Sequence, residues 1–239
     1  MNKITAICIA STKGTCLPVM MKSIEEYIPN DIEIYLIHQQ DVISWHSRKH
    51  IVHLEKNISK SFGEAYNRVC NWAFEKHQNI IICNDDIVFN PSTFELLQHD
   101  YNMLCEQIFH ERIGYLTART DYSRGRQNIR CKEENDTMQG LRFASELSII
   151  ETDIIAPICA VISKDSWIDF LPINWYSDDV QCLMLKEQKR KNFISRAYVH
   201  HVGSQSVGSM QIEHDNAMNY LKAHNYKYYF LLSNGAGND

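Results

Sequence analysis

The feature that most limits what this chain can fold into is a regular alternation in its first half between short apolar runs and amphipathic stretches. Ile4 to Ala10 reads as a buried strand, and Leu17 to Tyr27 as a helix with Pro18 in its first turn. Ile32 to His38 follows the turn signal Pro29-Asn30-Asp31 and reads as a second strand, with His50 to Leu54 a short third. Ser61 to Lys76 carries apolar residues at Phe62, Ala65, Tyr66, Val69, Trp72 and Ala73, close to helical spacing. Ile80 to Cys83 is a fourth strand, and a helix restarts near Pro91 with Asn90 as its N-cap. Strands that alternate with helices imply an α/β fold with a parallel sheet covered on both faces.

The second half is less regular. Ile113 to Thr117 and Pro157 to Ser163 read as strands, Asp178 to Gln188 as a helix, Ala197 to Val202 as a strand and Gln211 to His224 as the last helix. Residues 121–137 are polar, charged and without period, so they are expected to form a loop or flap. Ser233 to Asp239 reads as a polar, glycine-containing tail.

Composition excludes some classes. The charge balance of 24 basic against 29 acidic residues, net −5, argues against a chain that coats nucleic acid, although local basic patches remain compatible with it. No apolar run approaches the roughly 20 residues that span a bilayer. The apolar stretch after Met1-Asn2-Lys3 is too short for a signal-peptide core. The 8 cysteines are scattered, without a C-x-x-C pair, and several sit inside apolar runs as small hydrophobes. The expectation is a soluble cytoplasmic protein with reduced cysteines and no integral membrane association.

The chemistry concentrates at Ile80-Ile81-Ile82-Cys83-Asn84-Asp85-Asp86, where an apolar strand runs straight into two acids. In open α/β sheets ligands bind beyond such strand ends. A carboxylate there can hold a divalent cation that neutralises a nucleotide diphosphate, and it can also simply solvate a turn. Upstream stands Phe62-Gly63-Glu64-Ala65-Tyr66-Asn67, and downstream Asn90-Pro91-Ser92-Thr93-Phe94.

These segments together resemble the GT-A glycosyltransferases of the family-2 type. In those enzymes a Gly-x-x-x-Asn helix start precedes an apolar strand ending in a DxD-like motif, with a proline a few residues on. The resemblance implies a GT-A fold with a central, mostly parallel sheet flanked by helices. It implies one domain over residues 1–232, with a donor half to about residue 110 and an acceptor half beyond. By the resemblance Asp86 is the direct metal ligand and Asp85 a nucleotide contact. Gly63 permits close backbone approach and Asn67 secures the donor-site loop; as plain structure, both also suit a helix start. Ser11 and Thr12 end the first strand where ribose or base would rest, or serve as turn residues. Asp41, after the second strand, takes the place of the family's base-contacting acid.

Two later segments extend the resemblance. Trp175-Tyr176-Ser177-Asp178-Asp179 is similar to the family's Glu-Asp pair at a helix start. This makes Asp179 the general base for the acceptor hydroxyl and Asp178 its partner, with helix capping as the alternative. Tyr198-Val199-His200-His201-Val202-Gly203-Ser204 is similar to the late His-x-Gly segment, whose register selects His201 as a metal ligand, with His200 as the fallback. An imidazole ligand favours Mn2+ over Mg2+. No H-E-x-x-H supports a zinc enzyme.

The acceptor is less determined. Arg119, Arg124, Arg126, Arg130 and Lys132 form one basic group, and Lys186, Lys189, Arg190, Lys191 and Arg196 a second. Contacts to acceptor phosphates would give them a purpose, with Trp175, Tyr176 or Tyr122 stacking on a base. The lead acceptor is a hydroxymethylated base in DNA, as in phage DNA-modifying enzymes of compact GT-A type. The alternatives are a lipopolysaccharide or other surface glycan, or a different class altogether: a sugar nucleotidyltransferase or a non-catalytic nucleotide-binding domain. For a nucleotidyltransferase, Ser11-Thr12-Lys13-Gly14-Thr15 is only a faint match to the glycine-rich loop required.

Overall fold

The computed structural model describes residues 2–39, 47–108, 112–121, 123, 125–129, 148–203 and 210–233. Asp41, Arg124, Tyr122 and most of the expected flap lie outside these residues.

The strands are β1 (Ala6–Ser11), β2 (Glu33–His38), β3 (Val52–Lys56), β4 (Asn79–Cys83), β5 (Ile87–Phe89), β6 (Ile113–Thr120), β7 (Ile150–Thr152), β8 (Cys159–Ser163) and β9 (Lys191–His201). The helices are α1 (Leu17–Tyr27), α2 (Phe62–Phe74), α3 (Thr93–Ile108), α4 (Ser177–Glu187), α5 (Met210–Ala223) and α6 (Tyr229–Ser233). Among the described residues the strands join in one sheet ordered β3-β2-β1-β4-β8-β6-β9-β5, with β7 also paired to β9.

The pairing fixes where the strand ends fall. β1 is parallel to β2 and β4, and β2 to β3. β8 is antiparallel to both β4 and β6, so β6 runs the same way as β4, and β9 is parallel to β6. The carboxyl ends of β1, β2, β3, β4, β6 and β9 therefore share one edge, which gathers Ser11, His38, Asp85, Asp86, Asp121 and His201 from distant parts of the chain. Only β5, β7 and β8 run against this direction.

Both faces are covered, as the apolar runs require. One face packs Met20, Met21 and Ile24 of α1 and Leu97, Tyr101 and Leu104 of α3 against Ile7, Ile9, Leu36 and Ile81. The other packs Tyr66, Val69, Cys70 and Ala73 of α2 and Cys182 and Leu185 of α4 against Cys8, Tyr35, Ile80 and Ile82. Complete burial of the β4 side chains on both faces explains the continuous apolar run from Ile80 to Cys83. A third cluster joins α4 to α5 and α6 through Val180, Leu183, Ala217, Leu221 and Leu232.

Several expectations need correction. The helix after β5 begins at Thr93, not at Pro91; Pro91 and Ser92 form a turn, and Asn90 sends its side-chain amide to the Tyr198 carbonyl at 3.2 Å. The last strand is longer than its apolar part, because it starts at the exposed Lys191 and includes the buried polar residues Asn192 and Ser195. A helix, α6, follows the one expected to be last and takes in Ser233. The first part of the expected flap is docked structure: Gln127 is buried, its side-chain amide donates to Thr117 Oγ1 and to the carbonyls of Ala118 and Ala156, and its oxygen accepts from the Ala156 amide. Of the described cysteines, Cys16 and Cys105 are half-buried and the others buried, all as free thiols.

Candidate active site

The shared strand edge carries two side-chain pairs next to each other in sequence and in space. Ser11, the last residue of β1, is fully buried and its hydroxyl donates to Asp85 Oδ2 at 2.7 Å. Burial pushes the Asp85 carboxyl above the usual carboxylate range; the Ser11 hydrogen bond opposes the rise, and the charge of Asp86 adds to it. The backbone beneath is braced: Tyr66 donates its hydroxyl to the Cys83 carbonyl at 2.7 Å, and the Asn84 amide donates to the Ile158 carbonyl at 2.9 Å.

Asp86 forms the second pair. Its Oδ1 lies 3.1 Å from His201 Nε2, both side chains being 8% exposed. β5 follows Asp86 directly and pairs antiparallel with the end of β9, Ile87 opposite His201, and the Val202 amide donates to the Asp86 carbonyl at 3.0 Å. Side chains alternate along a strand, so His200 faces away from His201; its Nδ1 lies 2.7 Å from Asp121 Oδ2. The geometry thus separates the two histidines: His201 meets the acid at the strand end, and His200 does not.

This donor set fits a divalent cation. Neighbouring ligands of an octahedral ion with bonds of about 2.1 Å stand about 3 Å apart, which matches the Asp86–His201 separation. One carboxylate oxygen and one imidazole nitrogen suit Mn2+ better than Mg2+. Among the described residues no group of three or more His, Cys, Asp and Glu side chains is arranged to hold a metal. The described residues would supply two ligands and leave other positions to phosphate oxygens and water, as is common for cations that bind with a nucleotide.

The loop after β1 closes over the same edge. Gly14 adopts φ +66, and a Cβ placed there would sit 2.5 Å from His38 Nε2, so the loop lies directly on the imidazole at the end of β2. Thr12 is half-buried at the start of this loop. Cys16 precedes the first turn of α1, and its thiol is pushed up by burial and then by the charges of Asp86 and Asp85. The amino end of α1 thus lies near the acids; its Leu17, Val19 and Met20 amides are taken by the Gly14 and Cys16 carbonyls and Pro18 has none, so the helix contributes only its dipole at this edge.

Gly63 and Asn67 lie on the first turns of α2 on either side of Tyr66, whose hydroxyl reaches the Cys83 carbonyl at the end of β4, and their own contacts go to the segment before α4. A Cβ on Gly63 would lie 1.7 Å from the Leu171 carbonyl oxygen, and the Gly63 amide donates to Ile173 O at 3.2 Å. Asn67 donates its side-chain amide to Phe170 O at 2.8 Å and accepts from the Phe170 amide at 2.7 Å. The Phe62 amide donates to Asn174 Oδ1 at 2.8 Å. All three contacts hold residues 170–174, the approach to α4. The close approach expected of Gly63 is therefore made to the chain's own backbone.

α4 begins with Ser177, Asp178 and Asp179; Asp179 is 1% exposed and Asp178 half-buried. Tyr176, just before the helix, has φ +64, a left-handed conformation uncommon outside glycine. Its hydroxyl is 3.0 Å from His214 Nδ1 on α5, and its ring meets the Trp175 ring edge-on at 6.3 Å between centroids. Tyr176 is thus engaged by α5.

The basic groups do not form one surface. Arg119 is buried, donating Nε to Ser195 O and Nη2 to Ser148 O, while Arg126 is exposed. In the second group Lys186 pairs with Asp153, Lys191 with Glu151 and Arg196 with Asp100, and Arg190 donates to Ser166 Oγ and Asp165 O. Lys191 begins β9, at the sheet edge opposite His201, and these four side chains serve the scaffold. Sequence reasoning missed Asp121. The polar, aperiodic pattern from this residue on predicts a loop, whereas Asp121 is buried and contacts both histidines.

No family model matches the chain, and no curated protein matches it in sequence. Solved structures are similar to it. S. aureus TarS 1-349 in complex with UDP-GlcNAc is 14% identical over 86% of this chain and 60% of that one, with a TM-score of 0.56. GalNAc-T7 with UDP, GalNAc and Mn2+ is 12% identical over 91% of this chain and 48% of that one, with a TM-score of 0.61. The chain thus spans about half to three-fifths of the length of the proteins it resembles. No helix among the described residues is long and apolar enough to cross a membrane. These neighbours are GT-A glycosyltransferases, and the α/β fold of this chain, a central sheet flanked by helices, is of that type.

Proposed function

We propose that this chain is a metal-dependent, inverting glycosyltransferase that uses a nucleotide-diphosphate sugar. The observation that carries the proposal is the Asp86–His201 pair set beside the Ser11–Asp85 pair at the carboxyl edge of the sheet. UDP is the first nucleotide to test, because similar solved structures contain UDP or UDP-GlcNAc.

The residues divide the work. Ser11, Thr12 and Asp85 would hold the nucleoside, with Gly14 on the neighbouring loop. Asp86 and His201 would hold Mn2+, or Mg2+ less well, which when bound neutralises charge on the departing diphosphate. The amino end of α1 adds a favourable field for the same phosphates. The acceptor oxygen attacks the anomeric carbon as the bond from that carbon to the diphosphate oxygen breaks. Asp179, with Asp178 beside it, receives the acceptor proton, and one displacement inverts the anomeric centre.

For the acceptor, the scaffold contacts of Lys186, Arg190, Lys191 and Arg196 argue against a role for these four. Only Arg126, Trp175 and Tyr176 among the described candidates still support a stacked, phosphate-bearing substrate such as hydroxymethylated DNA. Surface glycans are the competing class.

The test is a product assay with Mn2+ and a panel of UDP-sugars, offering hydroxymethylcytosine DNA and glycans as acceptors. UDP release with labelled sugar on an acceptor is expected, abolished in Asp179→Asn and strongly reduced in Asp86→Ala. Pyrophosphate release would instead identify a nucleotidyltransferase, and failure to bind any nucleotide in the presence of Mn2+ would sink the reading.

A further inference from the structure

We propose that Asp121 is the positioning residue that makes His201, rather than His200, the metal-facing histidine; the inference rests on the metal site proposed above. Asp121 directly follows the last residue of β6, which is parallel to β9 with Thr120 opposite Val199, and it is 8% exposed. Its two carboxylate oxygens grip successive residues of β9. Oδ1 accepts the His201 backbone N–H at 2.9 Å, and Oδ2 lies 2.7 Å from His200 Nδ1. Thr120 Oγ1 approaches the same Oδ1 at 3.4 Å.

The bond from the His201 N–H to Oδ1 is the one that holds the peptide plane at His201, and the contact with the half-exposed His200 adds only a minor restraint. With that plane held, strand alternation turns the His201 imidazole to the side of Asp86 and the His200 imidazole to the other. The next amide is fixed as well, Val202 N–H donating to the Asp86 carbonyl. The imidazole of His201 is thus presented to Asp86 from a backbone held on both sides, and the order needed by a metal ligand is established before the cation arrives. This arrangement requires no contact between Asp121 and the metal. Asp121 acts through the chain direction at the end of β9.

The competing explanation is a surface ion pair. His200 is 51% exposed, and an isolated pair of that kind contributes little. The two accounts diverge on which bond matters: the ion pair is lost in His200→Ala, but the His201 amide bond is lost only when Asp121 changes.

The experiment measures Mn2+ affinity by electron paramagnetic resonance of the free ion, with UDP present, in wild type, Asp121→Ala, Asp121→Asn and His200→Ala. Removing the partners that orient metal ligands typically weakens metal binding about 10- to 100-fold. That loss is expected for Asp121→Ala, with a smaller loss for Asp121→Asn, whose remaining oxygen still accepts the His201 N–H. His200→Ala should change affinity less than about threefold, since it leaves that bond intact. UDP binding in EDTA should be the same in all four proteins. Hydrogen exchange at the His201 amide reads the hold without any metal and should be markedly faster in Asp121→Ala than in Asp121→Asn. Unchanged exchange, unchanged Mn2+ affinity in Asp121→Ala, or an equal loss in His200→Ala overturns the inference. Wild type that binds no Mn2+ overturns the metal site instead, while the exchange measurement still reports on the hold.

Discussion

The Ser11 hydroxyl reaches Asp85 Oδ2 at 2.7 Å and ties the end of β1 to the turn after β4, two neighbours in the sheet that are 74 positions apart in the chain. Asp85 is buried, so its charge lacks the hydration it has in the unfolded chain, and burial raises its carboxyl despite the bond. Ser11→Ala is expected to cost about 2 kcal/mol at neutral pH, the size of a lost hydrogen bond to a charged group. The sign with pH follows. A raised folded-state value means that stability is lost as pH rises above the ordinary carboxylate value and Asp85 ionises, and Ser11 limits that loss. The variant's penalty should therefore be larger at pH 7 than at pH 4. Urea denaturation at the two pH values checks it, and equal penalties would contradict the assigned role.

The bond between Asp100 and Arg196 makes a second pH prediction, for a carboxyl shifted in the opposite direction. Asp100 sits on α3 with its side chain 0% exposed; Arg196 donates its backbone N–H to Oδ2 and Nε to Oδ1, each at 2.9 Å, and Ser195 donates its hydroxyl at 2.7 Å. Burial alone would raise the carboxyl, but the bonds from Arg196 and Ser195 outweigh it and hold it below the ordinary range. A lowered value contributes stability that is present above the unfolded carboxylate value and lost as pH falls through the folded one. Asp100→Ala leaves the Arg196 guanidinium without its partner and should cost about 3 kcal/mol at pH 7. The difference from wild type should shrink when denaturation is repeated near pH 3.

The fold was largely legible because its main signal is local. Ile80 to Cys83 stands out because these four positions are buried and all apolar, and Leu17 to Tyr27 matches α1 because Pro18 marks its first turn. The beginning of β9 was hidden for the same reason reversed. Asn192 is polar yet buried, its side-chain oxygen accepting the Tyr115 amide at 3.0 Å, so a position that looks like loop supports the sheet. At the site, individual residues were legible at strand ends and the pairings were not. Ser11 meets Asp85 because β1 lies beside β4, and His201 meets Asp86 because β5 turns back along β9. Sheet order is a long-range property that no local pattern encodes. Asp121 escaped notice because a polar residue next to a charged, aperiodic segment carries no periodic signal of its own.

Gly63 and Asn67 grip one short segment from one helix, and this gives the third prediction. A methyl group at Gly63 would overlap the Leu171 carbonyl oxygen, which is backbone and has no rotamer to escape into. Gly63→Ala is expected to destabilise by about 3 kcal/mol, at the upper end for overpacking. Asn67→Ala loses two bonds to the Phe170 backbone and should cost about 2 kcal/mol. Since both contacts hold residues 170–174, the double variant should lose less than the sum, by more than about 0.5 kcal/mol. Strict additivity would mean that the two contacts do not act on one unit.

The last prediction separates two roles for Tyr176. Its φ of +64 costs a non-glycine residue on the order of 1 kcal/mol, and the hydroxyl contact with His214 on α5 at 3.0 Å helps to offset that. Tyr176→Phe keeps the ring and the backbone strain but removes the hydroxyl, so it should destabilise by about 1 kcal/mol. Tyr176→Gly relieves the strain but removes ring and hydroxyl together, and its net change should be close to that of Phe or slightly worse. Activity distinguishes the variants where stability does not. If the ring stacks on the acceptor, Phe should keep the acceptor KM within about threefold of wild type, whereas Gly should raise it about tenfold, the loss of a stacking contact of about 1.4 kcal/mol. If the ring serves only to fasten α5 to the start of α4, the acceptor KM should follow stability in both variants, and the Gly variant should show no additional rise. Steady-state kinetics with the acceptor varied at saturating donor reads the difference directly.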